Sequence, residues 1–520
     1  MKKRFLWPLA IIVILVAGLV IWANRFGIPE DFADQESQFK YGSIGTDHPL
    51  TRARIPYWIW KVLPELFEPA QVIQAGFGPT NHQKGYAAFG LMWEADMAKP
   101  IGHTPGQAVF ERPIGLSKRS VFGLDFVGVN CAFCHVSSLR KTADDKDAQI
   151  ILGGTGNTID IEKFFLYLFA AVSDERFTAD AVMDKVLEQN KNMGLIERAV
   201  YRYALIPYMR YAVPGMKKQF DFIDPANPQR LPKFGPGRVD TWAAYKRTFL
   251  DPPQEDRTAG VADFPPIWNQ KARLGMRLHW DGNTDVLEER NIISALALIG
   301  PRLEYMDVTR LKRVTDFSLG LLPPRYEDQI PNTIAAGTDE GRNQRRRLAE
   351  RGRIVFEGEC ADCHAPSGMR VGRVEPIHDL ATEPDRIKAF THELADALNQ
   401  LETSAWKLRD FKPQHGYANL LLDAIWLRGP YLHNGSVPTL RDLLNRPEDR
   451  PKRFCRGSDV YDWESVGFAS AMSPQDGATG CGEYFVFDTT QPGNGNQGHF
   501  YGTSLSEADK TALLAFLTSL

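Results

Sequence analysis

Two five-residue strings carry the chemistry of this 520-residue chain: Cys131-Ala132-Phe133-Cys134-His135 and Cys360-Ala361-Asp362-Cys363-His364. Each reads C-x-x-C-H, the attachment pattern of a c-type haem. Two thiols three positions apart both reach the vinyl groups of one porphyrin. The imidazole that follows then meets the iron from the same side. C-x-x-C also occurs in zinc knuckles and redox dithiols. A four-cysteine zinc site pairs its knuckles within about 20 residues, whereas these motifs stand 229 positions apart. A redox dithiol has no need of a His after its second Cys, let alone twice. The strings therefore predict two covalently bound haem c groups. Cys131, Cys134, Cys360 and Cys363 would hold them, with His135 and His364 as proximal iron ligands.

Thioether-bound haem is attached outside the cytoplasm, and the first residues are consistent with export. Lys2, Lys3 and Arg4 precede an apolar run over residues 5–23. A spanning helix needs roughly 20 residues, a signal-peptide core only about 7–15, and no A-x-A site follows the run. Residues 1–24 are thus expected to form a transmembrane signal anchor with the body in the periplasm. A cleaved signal peptide is the alternative. Cys455 and Cys481 remain as an even pair. In an oxidising compartment they are either a disulfide, contributing about 3 kcal/mol, or two buried free thiols.

Net charge is only -3, with no basic stripe, which argues against a nucleic-acid partner. The 34 Pro and 43 Gly predict many ordered loops between modest helices. Over 343–357, Leu348, Gly352, Val355 and Phe356 share one helix face. Over 506–520, Ser506 and Asp509 form a capping box ahead of Leu513, Phe516, Leu517 and Leu520. A helix before C-x-x-C-H and another at the C-terminus resemble the small class I cytochrome c. In that fold the two helices cross, and Gly352 with Phe516 would make the crossing here. Residues 159–172 and 178–213 also read as helix, and strand signals are few. Pro323, Pro324 and Pro331 mark a boundary. The expected fold is mainly α, with two cytochrome c-like haem domains, 25–335 and 336–520, and long loops.

Further strings narrow the resemblance: FKYGSIGT (39–46), PYWIWKVLPELF (56–67), GYAAFG (85–90), VGVNCAFCH (127–135), FGPGRVDTW (234–242), IWNQ (267–270), LHWDGN (278–283), RGPYLHNGSVPTLRDLL (428–444) and GHFYGTSLS (498–506). The chain resembles the bacterial dihaem cytochrome c peroxidase superfamily, and most closely the branch of the dihaem rubber oxygenases. The resemblance implies a reactive N-terminal haem and a six-coordinate C-terminal haem that relays electrons. His499, in the loop before the last helix, is the first candidate for the sixth ligand. His433 is second, and in relatives it more often meets the haem edge. Met472 is third. His279 and Trp280 would sit over the first haem or between the two, where a Trp can carry an oxidising equivalent. The bland alternative is a structural Trp with its N–H satisfied, and Trp268 is a weaker candidate for the same role. Asp281, Asn283 and Asp285 could offer oxygens to calcium. Rubber oxygenases carry a Phe over the reactive haem, yet residues 292–298 contain no aromatic. That departure and the expected anchor argue against secreted polymer cleavage.

Three readings follow. The first is a peroxide- or dioxygen-reactive enzyme fed by a small periplasmic electron carrier. The second is a pure electron-transfer cytochrome serving a membrane redox complex. The third is a haem enzyme that oxidises side chains of a partner protein.

Overall fold

The computed structural model describes residues 18, 27–51, 54–69, 85–103, 111–253, 257–299, 303–403, 405–476 and 480–520. The architecture is mixed, 42% helical and 12% strand, which corrects the expectation of a mainly α protein. Short strands form small sheets between the helices. The largest places Ile28–Pro29, Leu116–Val121, Leu124–Val129 and Ile55–Pro56 side by side, all antiparallel. Its central hairpin turns through Phe122 (φ 53°) and Gly123 (φ 76°). Two consecutive left-handed residues match the twist of the flanking strands. A Phe in that conformation is uncommon, so no familiar turn signal marks this hairpin in the sequence.

The N-terminal membrane helix expected within residues 1–24 falls outside the described residues, apart from Gly18. Among the described residues no helix is long and apolar enough to cross a membrane. The expectation of a chain anchored by a spanning helix is corrected accordingly.

The hairpin leads directly into the first C-x-x-C-H string. Strand Leu124–Val129 ends at Asn130, a tight turn covers Cys131–Phe133, and strand Val136–Leu139 follows, paired with Gln149–Leu152. The second string sits differently. A 21-residue helix, Asp339–Glu359, starts at the Thr338 cap and runs to Cys360, and a single turn, Ala361–His364, completes the motif. The last helix, Glu507–Leu517, begins with the expected cap, Ser506 Oγ accepting from Asp509 N at 3.2 Å. The two helices cross at Gly352. A Cβ there would lie 1.9 Å from the Ala512 carbonyl oxygen and 2.9 Å from Phe516 Cβ. Phe356 packs on Phe516 with ring centroids 5.1 Å apart.

Of the other helical expectations, Ile161–Ser173 forms nearly as read. The run 178–213 divides at Asn190–Gly194 into Ala179–Gln189 and a longer segment. That segment runs from Leu195–Val200 through a π-helical turn, Tyr201–Leu205, into Ile206–Lys217. Cys455 and Cys481 are disulfide-bonded. The apolar cores do not stop at residue 335: one cluster joins Val136, Trp242 and Leu296 to Phe390, Leu394 and Phe411.

The helix crossing yields a paired prediction. Gly352→Val forces the two helices apart and should cost about 2 kcal/mol. Gly358, on the same helix, has open space around a built Cβ. Gly358→Ala should therefore add about 0.5–1 kcal/mol by restricting the unfolded chain. Denaturant unfolding of both variants checks the sign of each change.

Candidate haem centres

The first motif is pinned by Asn130, which is buried. Its side-chain oxygen accepts from Ala132 N at 3.0 Å, capping the turn. Its amide nitrogen donates to the carbonyls of Gly42 (3.0 Å) and Lys40 (3.3 Å), tying the turn to the end of the Gln35–Tyr41 helix. Gly156 (φ 58°) packs behind the motif, where a Cβ would meet the Cys134 carbonyl oxygen at 2.4 Å.

Cys131, Cys134 and His135 open into a cavity also lined by Trp242, Phe264, His279, Trp280, Arg290 and Arg386. Burial pushes the Cys131 thiol up to about 11 and Cys134 higher still. Thiols held neutral in this way make poor redox nucleophiles, which weakens the dithiol reading. Burial, and next the Arg290 guanidinium, lower His135 to about 4. The ring is therefore neutral at ordinary pH, the form that ligates a metal.

Cys360, Cys363 and His364 open into a second cavity, lined also by Tyr417, Arg428, His433, His499 and Tyr501. His364 Nδ1 lies 2.7 Å from the Leu420 carbonyl oxygen. A backbone carbonyl on Nδ1 fixes the tautomer and frees Nε2 for a metal. His499 sits at φ 49°, its N–H donating to Leu380 O at 2.8 Å, and Arg450 donates to its carbonyl at 3.1 Å. Burial, and next the neighbouring His364, lower the His499 imidazole to about 3. Two imidazoles thus share one cavity. His433 lines the same cavity, but its Nε2 meets the Tyr417 hydroxyl at 2.9 Å, and the two rings stack at 4.0 Å.

Trp280 stands in the walls of both cavities. Its indole N–H donates to Asp263 O at 2.8 Å, and its carbonyl accepts from Ala418 N at 2.8 Å. The satisfied N–H of the bland reading and the position between the two motifs coexist in one residue. His279, at φ 60°, holds Asn283 Oδ1 with Nδ1 at 2.8 Å.

The remaining candidates lie elsewhere. Met472 is 37% exposed and lines neither cavity. Trp268 is buried and donates to Asp423 O at 3.3 Å, a packing role. Asn283 engages His279 and Asp281, while Asp285 N and Thr284 bond to Asp410. Among the described residues no group of three or more acidic, His or Cys side chains is placed to hold a free metal ion.

Both cavities suit a porphyrin carrying two propionates. Their walls are mostly apolar, yet each contains buried polar nitrogens with no partner in the protein. These are Arg290 Nε, Arg386 Nε and His135 Nδ1 in the first, and Arg428 Nε and His499 Nδ1 in the second. Guanidinium groups are strong partners for carboxylates. Sequence reasoning named none of these arginines. Arg428 at least stood in the quoted RGPYLHNGS string. Asn130 carried a signal too, as an Asn at a cap position immediately before Cys131.

Two outcomes follow. Asn130→Ala removes a cap and the buried amide that donates to the Gly42 carbonyl, while Lys40 O keeps its bond from Gly115 N; the expected loss is about 2 kcal/mol, measured by denaturant unfolding. His279 is lowered from 6.5 to about 3, chiefly by burial, with Arg290 and Arg386 also lowering it. The unfolded chain accordingly takes up a proton that the folded ring refuses. The His279 contribution is whole above pH 6.5 and is lost as the pH falls toward 3. Acid unfolding of His279→Gln should show a shallower loss across that window.

Comparison with known proteins agrees with the geometry. Residues 416–455 match the family described as RoxA-like, cytochrome c-like. The segment includes Tyr417, Arg428 and His433 of the second cavity. Two proteins of Sinorhizobium fredii are similar to the chain. The uncharacterised protein y4iM is 28% identical over 233 residues, 40% of this chain and 50% of that protein. The uncharacterised protein y4iJ is 29% identical over 643 residues, 100% of both. The chain thus spans half the length of the first relative and all of the second. Through residues 416–455 it is similar to the RoxA-like cytochromes c, the rubber-oxygenase-like group to which its motifs pointed, and a c-type haem belongs with that segment.

Proposed function

We propose that the chain is a dihaem c-type oxidoreductase in which the Cys131–His135 centre carries the reaction and the Cys360–His364 centre relays electrons to it. The observation that carries this reading is Trp280, a residue that borders both cavities. When bound, a c-type haem supplies one-electron chemistry and, where its sixth position is open, a place for dioxygen or peroxide.

The chain's own residues divide the two roles. His364 and His499 line the second cavity together, and His364 adds to the lowering of His499, which supports two imidazole ligands there and a centre closed to small molecules. Tyr417 occupies His433 Nε2, so His433 would line the side of a bound haem and leave the iron to His364 and His499. In the first cavity the wall contributed by the Leu287–Ile299 helix offers Ile293, Ser294, Ala295 and Ala297, none of them an iron ligand. Arg290 and Arg386 would hold carboxylates there, and the surrounding Phe side chains exclude water. Trp280 offers a route between the two centres, and a small redox protein would supply electrons.

One observation favours a second reading. His279 is a further imidazole in the wall of the first cavity. If it caps that iron, both centres are closed and the protein only transfers electrons.

Spectra of the purified holoprotein separate the two. The proposed enzyme shows one low-spin haem and one that binds carbon monoxide and reacts with peroxide. Two low-spin haems indifferent to both ligands would leave only the electron-transfer reading. His499→Ala should convert the relay centre to high spin, and an unchanged low-spin signal would remove His499 as its ligand. Trp280→Phe should slow electron transfer between centres by roughly tenfold or more, about 1.4 kcal/mol in barrier, with both spectra intact.

A further inference from the structure

The helical run from Leu195 to Lys217 turns an unusual face to solvent. Leu195 is 82% exposed, Ile196 83%, Tyr203 75% and Tyr211 83%, with Tyr208 also open. Exposed apolar groups this concentrated mark an interaction surface, whereas single ones carry no meaning. Pro207 and Pro214 add apolar area on the same side.

What lies behind the face narrows the kind of partner. Tyr208, Tyr211 and Pro214 form the outer wall of a chamber of about 650 Å³. Its deeper wall is apolar, from Leu63, Phe169 and Val172. Phe165, Phe220, Tyr245 and Leu298 line both this chamber and the cavity of Cys131 and His135. The chamber thus shares an apolar wall with the cavity of the first C-x-x-C-H motif. A protein seated on the face would close the chamber, while a lipid surface would leave an apolar phase at its mouth.

The charges agree with a lipid surface. Residues 191–217 contain Lys191, Arg198, Arg202, Arg210 and Lys217 against the single acid Glu197. Arg54 lies over the Tyr208 ring, 4.8 Å from its centroid, at the edge of the chamber. Arg202 is paired with Asp180 and Lys217 with Asp224. Arg198 and Arg210 donate to backbone carbonyls. Tyr rings beside basic groups, with aliphatic side chains pointing outward, compose an interfacial helix that lies along a bilayer.

We propose that residues 195–217 dock this protein onto the surface of an anionic phospholipid bilayer, with the mouth of the apolar chamber against the lipid. The docking is peripheral and uses a different part of the chain from residues 1–24.

Hydrogen–deuterium exchange of the full-length holoprotein tests it, with and without vesicles of phosphatidylcholine containing about one third phosphatidylglycerol. Peptides covering 195–217 should become protected by these vesicles, less so at high salt or on pure phosphatidylcholine. The triple variant Leu195→Glu, Ile196→Glu, Tyr211→Glu alters only exposed side chains, and its Soret spectrum reports that the fold is kept. It should lose that protection and bind vesicles at least about tenfold more weakly. Vesicle binding without protection of 195–217, as through residues 1–24 alone, overturns the proposal. So does unchanged protection in the triple variant. Protection that grows with protein concentration in the absence of vesicles would show a second copy covering the face, and would also overturn it.

Discussion

Trp280 is fixed between two strands from distant parts of the chain. Its indole donates to the carbonyl of Asp263, in the Ala262–Asp263 strand, and its carbonyl accepts from Ala418, in the Gly416–Ala418 strand. Asp263 is itself a junction. Its N–H donates to His433 O at 2.9 Å, and its buried carboxylate pairs with Arg456 at 2.9 Å. The two C-x-x-C-H cavities share a wall because these backbone groups have no other place to bond in a buried interior. Moving either strand would leave a buried carbonyl, amide or charge unpaired, which costs more than the bond itself returns.

Burial sets the chemistry of both cavities in the same direction. Imidazoles at His135, His279 and His499 are held neutral, and thiols at Cys131 and Cys360 are held protonated. The guanidinium groups of Arg290, Arg386 and Arg428 are buried, each with an unpartnered Nε. An apolar wall with neutral imidazoles and such spare N–H donors suits a flat, largely apolar group that carries carboxylates and a metal. Each cavity also holds a further imidazole beside its motif, His279 in the first and His499 in the second. His364 adds to the lowering of His499, whereas the Leu287–Ile299 helix lines the first cavity with Arg290, Ile293, Ser294 and Ala297.

Much of this was legible because local rules govern it. The Ser506 cap, the crossing of Gly352 with the last helix and the helix Ile161–Ser173 all rest on near-neighbour patterns or on one tight contact. The hairpin feeding the first motif was not legible, since it turns through a left-handed Phe122 rather than Asn or Gly. That hairpin is why the motif emerges from a sheet, unlike the second, which follows a long helix. The arginines of the cavity walls were missed for another reason. Arg290 and Arg386 lie on ordinary helical patterns, and only their burial singles them out.

By itself the sequence determined which atoms can bind haem: the two thiols and the imidazole fall within five successive residues, so spacing alone brings them together. It also determined the helix pair that frames the second motif. Only the tertiary structure decided what faces each imidazole, because His364 and His499 are separated by more than a hundred residues. The same holds for Trp280, whose place in two walls depends on strands that meet only when the chain has closed on itself. Side chains opposite a metal are chosen by packing over the whole fold, and packing over that range leaves no periodic trace in the order of residues.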